Sequence, residues 1–120
     1  MLELALVLPL LLIVVFGITE FGRAWMTVNV LTSAAREGCR LAVVTGPDVA
    51  AVNARVREVC DAARINPSSV VVIGPDPLDV SRRVTVTVET NFGVVTGNLL
   101  GPFSGTIPLR ASAVMRHEAF

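Results

Sequence analysis

From Leu4 to Ile18 the chain carries no charged side chain and nothing more polar than Gly17 and Pro9. A helix that is apolar all round must be buried inside a protein or in lipid. The chain is 120 residues long and 52% hydrophobic, which is room for one domain and a high apolar share for a soluble one. At about 1.5 Å per residue the run spans roughly 22 Å, short of the roughly 30 Å of a hydrocarbon core. A secretory signal peptide has an apolar region of this length. Here, though, the run follows an acid, Glu3, with no basic segment before it, and leads into Glu20-Phe21-Gly22-Arg23 rather than a small-residue cleavage site. Helical spacing persists through Ala24, Trp25, Met26, Leu31, Ala34, Ala35, Gly38, Leu41 and Ala42. One rod over Met1 to Val44, of about 65 Å, is therefore expected.

A carboxylate beside a run destined for hydrocarbon needs compensation. Two readings of Glu3 stay open: it lies at headgroup level, favoured by the positive end of the helix dipole, or it pairs with the N-terminal amine of a neighbouring subunit and sets the axial stagger of a bundle. Pro9 removes a backbone donor and predicts a kinked or loosened turn from Ala5 to Pro9, tolerable where neighbouring helices shield the freed carbonyl. Glu20 and Arg23, three apart, meet on one helix face just past the run. They read either as a membrane-exit pair or as an inter-subunit bridge, and Trp25 suits the same interface.

The segments Glu3-Leu4-Ala5-Leu6-Val7-Leu8-Pro9-Leu10-Leu11-Leu12, Gly17-Ile18-Thr19-Glu20-Phe21-Gly22-Arg23 and Ala34-Ala35-Arg36-Glu37-Gly38, with the small-residue ending Ala111-Ser112-Ala113-Val114-Met115-Arg116, resemble the TadE-like family of tight-adherence pilus proteins, a branch of the type IV pilin-like subunits. The resemblance implies a structural subunit that polymerises through its N-terminal helix into an adhesive surface filament. The alternative is a membrane-anchored accessory protein, a minor pilin or pseudopilin, of a pilus assembly or secretion apparatus. It further implies a prepilin with a short basic leader, cut after a glycine, with a glutamate at the fifth mature position. Glu3 matches that glutamate by context but not by position, so the sequence is expected to lack the leader and two mature residues. The implied partners are copies of the chain and other pilins, the inner membrane before assembly, a prepilin peptidase and the assembly machinery. The implied location is the bacterial inner membrane with an exported head, then an extracellular filament. Because lipid and helix partners are equally apolar, specificity in such packing is expected from Glu3 and from close contact at Ala5, Gly17, Gly22 and Ala24.

The rod should end near Gly46-Pro47, with a left-handed glycine cap, and Asp48 should cap a second helix. In that helix Val49, Val52, Val56, Val59, Cys60 and Ala63 form an apolar stripe, with Asn53, Arg55, Arg57, Glu58 and Asp61 outward. Asn66-Pro67-Ser68-Ser69 breaks it. Strands are expected at Val70 to Ile73, at Val84, Val86 and Val88 alternating with Thr85, Thr87 and Glu89, and at Ile107, Leu109, Ala111, Ala113 and Met115 alternating with Pro108, Arg110, Ser112 and Arg116. The intervening Asn91 to Thr106 reads as a glycine-rich loop carrying Phe92, Val94, Val95, Leu99, Leu100 and Phe103, either folded over the sheet or offered to a neighbour. The fold class is thus α+β: a membrane or filament-core half over 1–25 and a head over 26–120 with a helix on a small antiparallel sheet.

Cys39 and Cys60 are the only cysteines. A disulfide joining the helices and a pair of buried thiols are both open, since the residues lie about 10 Å and 18 Å from the interhelical turn while a bridge needs Cα atoms within roughly 7 Å. Ten arginines, no lysine and ten acids leave zero formal charge, and the adjacent pair Arg82-Arg83 is no phosphate-tracking patch, so nucleic acid is not an expected partner. His117 reads as a solvated tail residue, and Asp76 and Asp79 lack the further oxygens a calcium loop needs. With no nucleophile elbow, phosphate loop or metal-spaced cysteine set, neither enzymatic activity nor a cofactor or metal is expected.

Overall fold

The computed structural model describes residues 1–46, 48–75, 78, 80–95 and 105–116. Helix α1 runs unbroken from Leu2–Thr45, passing through Pro9. Helix α2 covers Val49–Ala62, and strands β1 (Ser69–Ile73), β2 (Arg83–Gly93) and β3 (Thr106–Arg116) form one antiparallel sheet in that order. The molecule measures 72 × 24 × 21 Å, its long axis being that of a helix of 44 residues.

Two halves of α1 live in different surroundings. Its buried residues are Leu31, Ala34, Ala35, Gly38, Cys39 and Ala42, a stripe at helical spacing that begins only in the second half. All but Leu31 are small, which lets α2 and the sheet approach closely. A Cβ placed on Gly38 would meet Val56 Cγ2 at 2.7 Å and the Cγ1 atoms of Val52 and Val86 at 3.3 Å. From α2 the core takes Val52, Val56 and Cys60, and from the sheet Val84, Val86, Val88 and Ala111, with Val59, Ile65, Val70, Val72, Leu109, Ala113 and Met115 packed around them. Val49 and Ala63, the ends of the expected stripe, stand exposed. Arg55 does not simply face water: it donates to Glu37 Oε1 of α1 at 3.0 Å and to Glu58 Oε2 at 2.9 Å, tying the two helices together.

The sheet register puts Val84, Val86, Val88, Thr90 and Phe92 opposite Met115, Ala113, Ala111, Leu109 and Ile107. Strand β2 is longer than its sequence suggests. Asn91 to Gly93 and Thr106 belong to the ladder and not to the loop, because the inward alternation continues through Thr90 and Phe92. Thr90 is a buried polar residue, and it is satisfied by donating its hydroxyl to Asn66 O at 2.7 Å. Glu89 and Arg110, directly opposite across the pair, form a 3.0 Å ion pair on the outer face. Leu99, Leu100, Phe103, Asp76, Asp79, Pro47 and His117 lie outside the described residues.

The helix ends differ from expectation in one respect. Asp48 does cap α2, its carboxylate accepting from Ala50 N at 3.1 Å. Gly46, however, sits at φ 91, ψ 166, a positive-φ region open to glycine but outside the left-handed helical well. The left-handed position falls instead on Arg64, at φ 59 just after α2.

Candidate functional site

Among the described residues nothing packs on α1 up to Thr19. Leu6 is 78% exposed and Ile18 68%, and no residue from Met1 to Thr19 is buried or half-buried. By length and composition this helix can cross a membrane. Glu3, Ala5, Pro9, Gly17 and Gly22 are all exposed and Ala24 is half-buried, so the fold leaves them on a free surface rather than gathering them into an intramolecular site. A Cβ built on Gly17 or Gly22 would meet nothing within 4 Å. Thr19 and Thr27 hydroxyls donate back to the carbonyls of Val15 (2.9 Å) and Arg23 (3.0 Å), which satisfies them without outside partners.

The second feature is the neck, where this free helix enters the head. Arg23 Nη1 donates to Glu20 Oε2 at 2.9 Å, so the pair anticipated from the spacing forms within one chain. The same guanidinium lies over the ring of Phe92, with Cζ 5.1 Å from the centroid. Arg23 therefore joins Glu20 on α1 to the end of β2. The alternation of β2, if followed past Val88 through Thr90 to Phe92, already placed that ring on the inner face, but nothing local paired it with Arg23. On the neighbouring surface Phe21 and Trp25 stack with centroids 6.3 Å apart, both exposed, and the Trp25 indole, with its N–H, is the kind of ring that suits a membrane boundary.

Beside Arg23 the end of α2 and the end of β2 border a cleft of about 290 Å³, lined by Thr27, Arg64, Asn66 and Asn91 among others and, among the described residues, by no acid. Sequence reasoning passed over Arg64 altogether. Its only signal is a cation just past the last periodic residue of α2, where glycine is usual.

Cys39 and Cys60 are buried free thiols in this structure. The Cys39 thiol donates to the Ala113 carbonyl of β3 at 3.0 Å. Burial raises the pKa of both thiols, with Asp61 adding to the effect at Cys60, so each is a neutral, poorly nucleophilic side chain. Among the described residues no three His, Cys, Asp or Glu side chains converge as metal ligands.

No curated protein and no solved structure matches the chain. The family model for TadE-like protein matches residues 1–40, which bears out the resemblance over the segment that carries it and supports a pilus-associated protein with an N-terminal apolar helix.

Proposed function

We propose that the chain is a structural, pilin-like subunit that polymerises through residues 1–25 of α1 into a surface filament of the tight-adherence type. The observation that supports this reading most is that every residue of α1 up to Thr19 is left exposed by its own head. Such a surface needs lipid or other helices around it. In this reading the helix waits in the inner membrane and then exchanges lipid for neighbouring helices, while the head, carried outside, keeps its fold.

That exchange changes hydrophobic burial little, so selection of the right step falls to polar and small residues. Glu3 would pair with the N-terminal amine of a neighbour. Ala5, Gly17, Gly22 and Ala24 would admit close backbone approach, and Pro9 would allow the helix to loosen where neighbours shield the carbonyl of Ala5. Prepilin peptidase and pilus assembly machinery are the partners this reading entails, and it assigns no catalytic step to the chain. The test is imaging of purified native filaments. Regular density fitted by this chain supports polymerisation, and recovery of the chain solely in the membrane fraction, with filaments built from other proteins, overturns it.

A further inference from the structure

We propose that the cleft at the neck binds the phosphate of a membrane phospholipid headgroup, with Arg64 as its principal charge; this rests on the reading of α1 as a membrane helix. Three observations converge on it. The first is position. Between Glu3 and Glu20 the charge-free stretch Leu4 to Thr19 measures roughly 24 Å, somewhat less than a hydrocarbon core, so with Glu3 at one boundary Glu20 and Arg23 stand at the other and the cleft that Arg23 lines lies near the depth of the lipid phosphates.

The second is chemistry. Arg23 and Arg64 flank a space of about 290 Å³ that Asn66 and Asn91 also line, with no carboxylate among the described lining residues. Glu20 neutralises Arg23 and the Phe92 ring fixes its plane, yet an arginine has five donor hydrogens and this pairing leaves others free to face the cleft. The uncompensated charge comes from Arg64, which among the described residues makes no ion pair.

The third is backbone. Arg64 N donates to Asp61 O at 3.0 Å and Ile65 N to Cys60 O at 2.9 Å, the paired bonds of a Schellman ending with Arg64 at its left-handed position, φ 59. Glycine is the usual occupant of that position, and the arginine there carries its charged side chain at the rim of the cleft. Ile65, the next residue, packs against the core and lines the same cleft, which anchors the turn beside it.

The strained position also makes a clean test, because Arg64→Gly removes the charge while easing the backbone. The full chain in maltoside micelles is titrated with dihexanoyl phosphatidylglycerol, with dihexanoyl glycerol, which lacks the phosphate, and with inorganic phosphate, following backbone amide NMR shifts. The expected result is saturable shifts at Arg64, Asn66, Asn91 and Gly93 with the phospholipid alone. Apparent affinity falls at least tenfold in Arg64→Gly and largely returns in Arg64→Lys. Equal binding by Arg64→Gly, or equal shifts with the phosphate-free lipid, overturns the proposal; saturation by inorganic phosphate at the same concentration overturns its assignment to lipid. Carbonate-resistant retention in phosphatidylcholine vesicles is measured alongside. Loss of retention defeats the membrane reading itself, whereas retention without headgroup binding defeats only the cleft.

Discussion

Gly38 is where three elements come closest, and Gly38→Ala tests that packing directly. The added methyl would lie 2.7 Å from Val56 Cγ2 and 3.3 Å from Val52 Cγ1 and Val86 Cγ1. All three neighbours are β-branched, with little rotamer freedom to retreat. Overpacking of this kind costs typically about 1–3 kcal/mol. Replacing a helical glycine by alanine returns up to about 1 kcal/mol of intrinsic propensity. The net expectation is a loss of about 1 kcal/mol, or a fall in Tm of roughly 4–8 °C for a head of this size. Gly17→Ala and Gly22→Ala, which meet nothing within 4 Å, are the controls and should leave the melting of the head unchanged. Thermal unfolding of the full chain in detergent, followed by circular dichroism, reads all three. Combining Gly38→Ala with Val56→Ala should be milder than the sum of the single changes by about 1 kcal/mol, because the new methyl enters the space that Val56 vacates. A Tm for Gly38→Ala at or above that of the parent would show that the helices are not packed as closely here as the 2.7 Å approach demands.

Other outcomes follow from the same structure. Glu3→Ala should abolish filament yield while the melting of the head stays as it was; undiminished yield on electron microscopy would remove Glu3 from subunit registry. Phe92→Ala should destabilise the head by about 3 kcal/mol, as for truncation of a buried ring, measured by the same melts, and Arg23→Ala by distinctly less, since its ion pair is partly exposed. Two thiols should titrate with Ellman's reagent in the unreduced, denatured chain and resist alkylation in the native one. Burial raises both thiol pKa values above the ordinary 9.0. The stabilisation they carry is therefore complete below about pH 9 and is lost as pH climbs through the raised values, because the unfolded chain ionises first. Melts from pH 7 to 11 should show that alkaline loss, and a Cys39→Ala, Cys60→Ala variant should show less of it.

The extent of α1, the start of α2 at Asp48 and the inward faces of β2 and β3 were legible from residue order because each rests on a short-range rule. Val84, Val86 and Val88 announce a face by period alone, and Asp48 caps by reaching two residues along the chain. The end of β2 was misread because Thr90 is polar. Its burial becomes tolerable only once the Asn66 carbonyl, 24 residues away, accepts its hydroxyl proton. Arg55 was assigned to the solvent face for the same reason: its bond to Glu37 spans 18 residues and does not exist until the helices pack.

What the sequence determined by itself is the long apolar helix, since a stretch without charge is apolar whatever it meets, and the alternating strands, since pleating follows from backbone geometry. Tertiary structure alone decided the seating of Gly38 between Val56 and Val86, the clamp of Arg23 on Phe92, the turning of Cys39 toward Ala113 and the cleft that Arg64 borders. Each of these is a meeting of groups far apart along the chain, and such a meeting is set by the closing of helices onto sheet, a geometry that no local pattern encodes.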